Sequence, residues 1–399
     1  MSRQKGSTTK IVVAFETTYK TDPSPKAGLQ VPVNSFSLDA NEEAITPATL
    51  QGRRDAAKPY RGNIDVKGSA VIPLDDTLIG IWLRAMFGSA ISVVTGAVTA
   101  AAVTADAGTN VITHTTHGLL DGQGVILGGT AVPGGTVAGT VYFLRDKTTS
   151  SYKLAASPGG AAIDLTDAGT SVTVTAVPAH VFRVGSTMPS LVCEQQFTDL
   201  AVAKYYKYNG VKIGSLKLAF GGSGELVASL SLVGATETLG SAAYDSSQTV
   251  KTLGTRYSFK HVSVKEGGVA CTTLKSLDLT IDFGLDEDGF ALDATGQRST
   301  LDEGSLTISG SIKGFFVDTA LAEKGAAGTE TSLEITLAID GTHKLIIDLP
   351  EVEFSRVKKP VDGPKGLYLD QTFQAFYQDA SPDKTSVQIT LVNAQATAY

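Results

Sequence analysis

The clearest pattern in the chain runs from Gly62 to Gly88. Ile64, Val66, Gly68, Ala70 and Ile72 alternate with Asp65, Lys67, Ser69 and Val71. A half-buried strand needs this two-residue period, because successive side chains point to opposite faces. The period then changes. Leu78, Ile79, Trp82, Leu83, Met86 and Phe87 fall on one stripe of an α-helix. Asp75 or Asp76 is placed to cap its start, and Gly88 to end it. The spacing predicts a strand feeding one amphipathic helix that lies on a sheet.

A second stretch, Gly304 to Gly325, repeats the first. Gly62 aligns with Gly304, Gly68 with Gly310 and Ser69 with Ser311. Leu306, Ile308 and Ile312 alternate, Asp318 is a candidate cap, and a short helix is expected to end at Gly325. Upstream, residues 33–38 resemble residues 274–279. Downstream, Leu216 to Phe220 and Leu226 to Val233 resemble Thr372 to Tyr377 and Val387 to Val392. A repeat of this length predicts a duplicated structural unit.

The rest of the chain falls into place around the two copies. Residues 1–32 are polar and Pro-marked and read as an N-terminal arm, with a strand at Ile11 to Phe15. Residues 33–91 and 180–240 form the first unit, and residues 250–399 the second. Between them, residues 92–179 turn to Ala, Gly, Thr and Val with few charges, the grammar of an inserted small β-domain. Two long polar loops stand out, Leu38 to Tyr60 and Asp286 to Glu303. Loops of that length are commonly functional or interaction elements. The expected fold class is all-β with minor α: two fused β-sandwich or barrel units, each with one packed helix, plus the insert.

Charge and chemistry narrow the function. A net charge of -7 argues against a general nucleic-acid binder. No apolar signal-peptide core follows Met1, and no run is long and apolar enough to span a membrane. Cys193 and Cys271 are far apart and read as buried or idle thiols. His114 and His117 make an H-x-x-H without helix context or a third ligand. Asp282-Phe283-Gly284 lacks every companion of the kinase metal motif. Asp286-Glu287-Asp288-Gly289 fails the calcium-loop spacing, which would put Gly284 and Thr295 where carboxylates belong. Neither a phosphate loop nor a nucleophile elbow occurs. The expectation is a protein that is not an enzyme and has no cofactor or metal. Arg53, Arg54, Lys58 and Arg61 form the one basic cluster. It is either a solvated loop face or a protein contact that pairs with an acidic loop such as Asp286 to Asp288.

The order of short motifs adds a family likeness. A strand at residues 31–38, an Arg-bearing loop, Gly62 to Ser69 with its helix, Pro189 to Phe197, Asn209 to Leu216 and Gly363 to Leu367 occur in sequence. Together they resemble the major tail tube protein of long-tailed, siphovirus-like bacteriophages. The insert, with Thr116 to Val125 and Gly159 to Thr166, resembles a small β-module of phage structural proteins. The resemblance implies a homo-oligomeric ring whose inner wall is a β-barrel shared among subunits. Rings would stack into the tube of a long flexible non-contractile tail, through which the genome leaves. DNA would pass without sequence-specific binding. The implied partners are further copies of the chain and the tape-measure, terminator and baseplate or tip proteins. The implied location is the virion, after assembly in the host bacterial cytoplasm. Arg53, Arg54, Lys58, Tyr60, Arg61, Asp286, Asp288 and Arg298 are the candidate ring–ring contacts. If the usual ring holds six copies of one unit, a chain with two units closes with three, as a trimeric, pseudo-sixfold ring. A sixfold ring of single tube domains is the alternative. A capsid decoration or tail-terminator protein shares the composition, and a secreted β-rich adhesin or carbohydrate-binding protein would want an export signal.

Overall fold

The computed structural model describes residues 3–50, 52–90, 99–119, 122–157, 160–357, 366–377, 379, 385–395 and 399. The expected boundary at residues 91–92 and most of the Gly363 segment lie outside them. The fold is all-β with two short helices. A 3-10 turn (Gly6–Thr8) precedes β1 (Lys10–Phe15) and β2 (Leu29–Val31). β3 (Ser35–Ile45) and β4 (Tyr60–Pro73) form a hairpin that leads into α1 (Ile79–Phe87). A separate seven-stranded sheet follows: β5 (Ala101–Ala102), β6 (Thr104–Asp106), β7 (Val111–Thr113), β8 (Gly124–Gly128), β9 (Val141–Arg145), β10 (Ser151–Ala155) and β11 (Thr173–Val177).

The chain returns through β12 (Ala179–Arg183), β13 (Leu191–Phe197), β14 (Lys204–Phe220), β15 (Val227–Gly234) and β16 (Thr236–Gly240). A connector with β17 (Thr249–Val250) and a second 3-10 turn (Phe259–His261) leads to β18 (Val262–Glu266) and β19 (Val269–Ala270). Then come β20 (Leu274–Asp282), β21 (Thr307–Phe315), α2 (Ala320–Ala327), β22 (Thr331–Ala338), β23 (Lys344–Phe354), β24 (Tyr368–Phe376) and β25 (Gln388–Val392).

Strand pairing follows one pattern twice. Leu38 stands opposite Gly68 as Leu279 stands opposite Gly310. On the other side, Gly68 faces Leu232 of β15 and Gly310 faces Phe373 of β24. β13 pairs with β14 as β22 pairs with β23, and the same bulge interrupts both. Leu191–Val211 jumps to Cys193–Tyr208, and Thr331–Val352 jumps to Leu333–Leu349. β1 pairs with β13 and β2 with β1, as β18 pairs with β22 and β19 with β18. The two halves join edge to edge, with Leu216 of β14 opposite Ile281 of β20. Among the described residues no sheet closes into a barrel within the single chain.

Three expectations need correction. The downstream equivalence is one strand out: register matches β14 with β23 and β15 with β24, not β14 with β24. β3 runs on to Ile45, so the first polar loop is residues 46–59. α2 ends at Gly328, a left-handed cap at φ 65° whose N–H bonds the Lys324 carbonyl. Gly325 instead lies inside the helix, where a Cβ would come within 2.2 Å of the Ser355 carbonyl.

Asp75 starts α1 by accepting hydrogen bonds from the N–H groups of Leu78 (3.1 Å) and Ile79 (3.0 Å). Its third donor, the Gly254 N–H at 2.8 Å, comes from the connector. α1 is buried on every side except at Arg84. β12 and β14 support one face, and the Tyr399 ring lies over Gly80, where a Cβ would be 2.3 Å from it.

Loop 283–306 of the second half is fastened to the first half. Arg298 is 1% exposed. Its guanidinium donates to the Glu287 carbonyl at 2.6 Å, to the Gly234 carbonyl of β15 at 2.8 Å, and to the Asp65 carboxylate of β4. Lys212 of β14 pairs with Glu303 at 2.7 Å. Burial opposes ionisation of Asp65, yet hydrogen bonds from Arg298 and Lys67 outweigh it and hold its carboxyl below the usual range. In Glu303 burial is likewise outweighed, by Lys212 and the Met188 N–H.

Arg298→Ala leaves the buried Gly234 carbonyl without its donor and the Asp65 carboxylate without its partner, so a loss of about 3 kcal/mol is expected in denaturant unfolding. A loss under about 0.5 kcal/mol, the level of an ordinary surface substitution, would show the fastening to be idle. Both carboxyls have folded-state pKa values below their unfolded ones. Their contribution is therefore complete above the unfolded values and fades as pH falls through the folded ones. Amide exchange in residues 283–306, corrected for intrinsic pH dependence, is expected to rise relative to the core below about pH 4. Unchanged relative protection would contradict it. Gly68→Ala would place a Cβ 1.8 Å from the Ser37 carbonyl. It is expected to cost about 3 kcal/mol or more, because backbone must move. A melting temperature equal to that of the unaltered chain would disprove the close approach.

Candidate assembly surfaces

Antiparallel pairing fixes which loops share an end of the sheet. Strands alternate in direction through β3, β4, β15, β14, β20, β21 and β24. Loops 46–59 and 283–306 therefore project from one end, the upper. The turn 221–226, residues 315–317 and the start of β24 lie at the other, the lower. A head-to-tail stack brings opposite ends together. Across such a joint Arg53 and Arg54 would not meet Asp286 and Asp288, which lie at the same end of the sheet.

The individual candidates separate clearly. Arg53, Arg54 and Lys58 are exposed on the upper loop, and Tyr60 is exposed at the start of β4. Arg61 is exposed and ion-paired with Glu42 on the neighbouring strand. Asp286 and Asp288 are exposed, and Asp286 accepts the Asp288 N–H at 3.1 Å. Arg298 is no surface contact, because its donors are satisfied inside the chain. Between the β3–β4 hairpin and residues 285–298 lies an open groove of about 760 Å³, with Glu43, Asp65, Lys67 and Asp286 to Asp288 in its walls. Lys67 bridges it, 2.6 Å from Glu287 and 3.1 Å from Asp65. The Glu287 hydrogen bond is the main cause holding the ammonium above its usual pKa.

Other chemistry is sparse. Among the described residues no group of three or more His, Cys, Asp or Glu is placed to hold a metal. His114, His117 and Tyr152 stack in the small sheet, with the two His ring centroids 5.5 Å apart. His117 Nδ1 accepts the Leu119 N–H at 2.9 Å, which puts its proton on Nε2. That is the wrong tautomer for an Nε2 metal ligand. Cys193 is buried, and burial pushes its thiol well above the usual range. No described helix is long and apolar enough to cross a membrane.

Sequence reasoning missed the lower end. Phe315, Phe316, Val317, Leu367 and Tyr368 form an exposed apolar patch there. The Lys275 and Lys313 ammonium groups lie 4.9 and 5.4 Å from the centre of the Tyr368 ring. Phe315-Phe316-Val317 reads as the buried end of a strand. Its only signal was the repeat, because the matching residues of the first half end in a capping aspartate.

No curated protein matches the chain significantly. The model of a family described as phage tail tube protein matches residues 6–375. The match spans both halves of the repeated pairing pattern and the small sheet between them. With that coverage, and a β-rich fold whose sheet edges stay open, the chain belongs to the phage tail tube protein family.

Proposed function

We propose that the chain is two fused tube units, and that three chains close a trimeric, pseudo-sixfold ring. The observation that carries this reading is the joint between β14 and β20. There the first half adds its sheet edge to β20 of the second half. β3 is the counterpart of β20, yet among the described residues its outer edge has no strand beside it. The Leu38 carbonyl points off that edge and accepts the Gln195 side-chain amide, at 3.1 Å. In an antiparallel strand the N–H and C=O of one residue face the same way. Phe36, Leu38 and Ala40 therefore offer a row of groups to a neighbouring chain. Filling it removes an edge that would otherwise invite uncontrolled pairing.

Rings then stack head to tail. Arg53, Arg54, Lys58, Tyr60, Arg61, Asp286 and Asp288 reach from the upper end toward the lower end of the next ring. The acidic chain lets DNA pass without holding it. The role is structural, with no catalytic step: a virion component of a long, flexible, non-contractile tail, assembled in the host cytoplasm. There it would meet the tape-measure, terminator and baseplate or tip proteins. The small sheet sits outside the wall. β12 pairs with β25, and Val141, Phe143 and Val177 pack against Ile346 and Val392. The insert leaves the first half and is held by the second, so each chain carries one outer knob.

Negative-stain microscopy of the purified protein tests the reading. Tubes whose end-on rings show three outer knobs are expected. Six knobs would keep the tube and overturn the fused trimer, and discrete monomers at every concentration would overturn the tube. Ala40→Pro removes one outward N–H, a change that edge strands tolerate. The lone chain is expected to melt normally while tube formation is lost. Normal tubes from this variant would show that β3 is not the receiving edge.

A further inference from the structure

The repeat includes the segment that enters each half. The first 3-10 turn precedes β1 as the second precedes β18. Thr8 N–H donates to the Lys5 carbonyl at 3.3 Å, and His261 N–H to the Ser258 carbonyl at 2.9 Å. Val13 then faces Cys193 as Glu266 faces Leu333. Residues 3–5 are the counterparts of residues 256–258.

Between the halves, this connector seals an apolar joint. At the lower end of β4, Leu74 N–H donates to the Leu226 carbonyl at 3.0 Å, and both side chains are 1% exposed. Tyr257 N–H donates to the Leu74 carbonyl at 3.0 Å, and Arg256 forms a β-bridge with Asp75. The turn at residues 339–343, between β22 and β23, lies against the same corner: His343 Nε2 is 3.8 Å from Asp76.

The second half repeats the lower end without the cover. Phe316 N–H donates to the Leu367 carbonyl at 3.2 Å, the counterpart of the Leu74–Leu226 bond. Here the two side chains are 36% and 39% exposed, and Val317 beside them is 71% exposed. The counterpart of turn 339–343 is residues 198–203, between β13 and β14. It presents Leu200 and Val202, 37% and 64% exposed. Gln4 is already fixed to it, its side-chain oxygen accepting the Asp199 N–H at 2.9 Å.

We propose that the patch of Phe315, Phe316, Val317 and Leu367 is the seat of a second copy of this chain. The neighbour's turn 198–203, with its residues 3–5 alongside, covers the patch at the place where residues 254–257 cover Leu74 and Leu226 and turn 339–343 lies against the same corner. The proposal rests on the ring reading and names the surfaces that meet within one ring. Both sides are apolar and exposed in the single chain, so burying one against the other relieves both. The contact joins two different surfaces, the kind that closes a ring when the rotation fits.

The test uses the full chain with Cys271→Ser, Val202→Cys and Val317→Cys, assembled and treated with a short bismaleimide. Both new thiols replace exposed side chains, and Cys193 is buried. Covalent species of two and three chains are expected from the double variant and not from either single one. Intact tubes without cross-links would overturn the proposal. So would cross-linking of Leu292→Cys to Val317→Cys instead, which would give the patch to the upper loop of a stacked ring. Failure of the unaltered chain to form tubes, seen by microscopy before any reagent is added, would remove the ring reading and this joint with it. Val202→Glu buries a charge in the same joint, and a rise of about tenfold in the concentration needed for tubes is expected. An unchanged threshold would overturn the contact.

Discussion

An unfilled sheet edge governs this molecule. A strand with no neighbour exposes a row of polar backbone groups that must find partners. The chain meets that demand for β20 by placing β14 beside it, and among the described residues leaves it unmet for β3. The described strands outside the small sheet join in one branched sheet, nearly all of it antiparallel, in which β3 has only β4 beside it. A single chain is therefore half of a statement about its own assembly. In the proposed ring its internal joint is the template for the external one.

The rigidity of that template depends on charged groups as much as on apolar burial. Arg298 reaches from the second half into a pocket made by β4 and β15 of the first, and Lys212 reaches back to Glu303. These bonds fix the angle between the halves, which in a closed ring becomes the curvature of the wall. The insert adds a second tie through β12 and β25. Such ties favour one closed size over a range of open arcs.

Much of this was legible in the sequence where a physical constraint left only one residue type possible. Gly68 and Gly310 stand out because a Cβ at either would strike backbone of the paired strand. The helix stripe from Leu78 to Phe87 was equally plain. Alternation could not say which neighbouring strand was which, because β14, β15 and β24 all alternate alike. Only register separates them. β3 beyond Leu38 reads as a polar loop, since Asn41, Glu42 and Glu43 suit an edge strand that faces water. Tyr399 covers Gly80 from the far end of the chain, a contact no local pattern encodes. Arg298 looked like a surface charge because its partners lie on strands remote in sequence.

The most direct measurement is a cryo-electron microscopy map of the assembled tube at side-chain resolution. The account predicts threefold rings in which β3 of each chain is paired with the second half of its neighbour, in the arrangement β14 makes with β20. A map in which β3 keeps a free edge, or in which six chains each contribute one half to the wall, would contradict it.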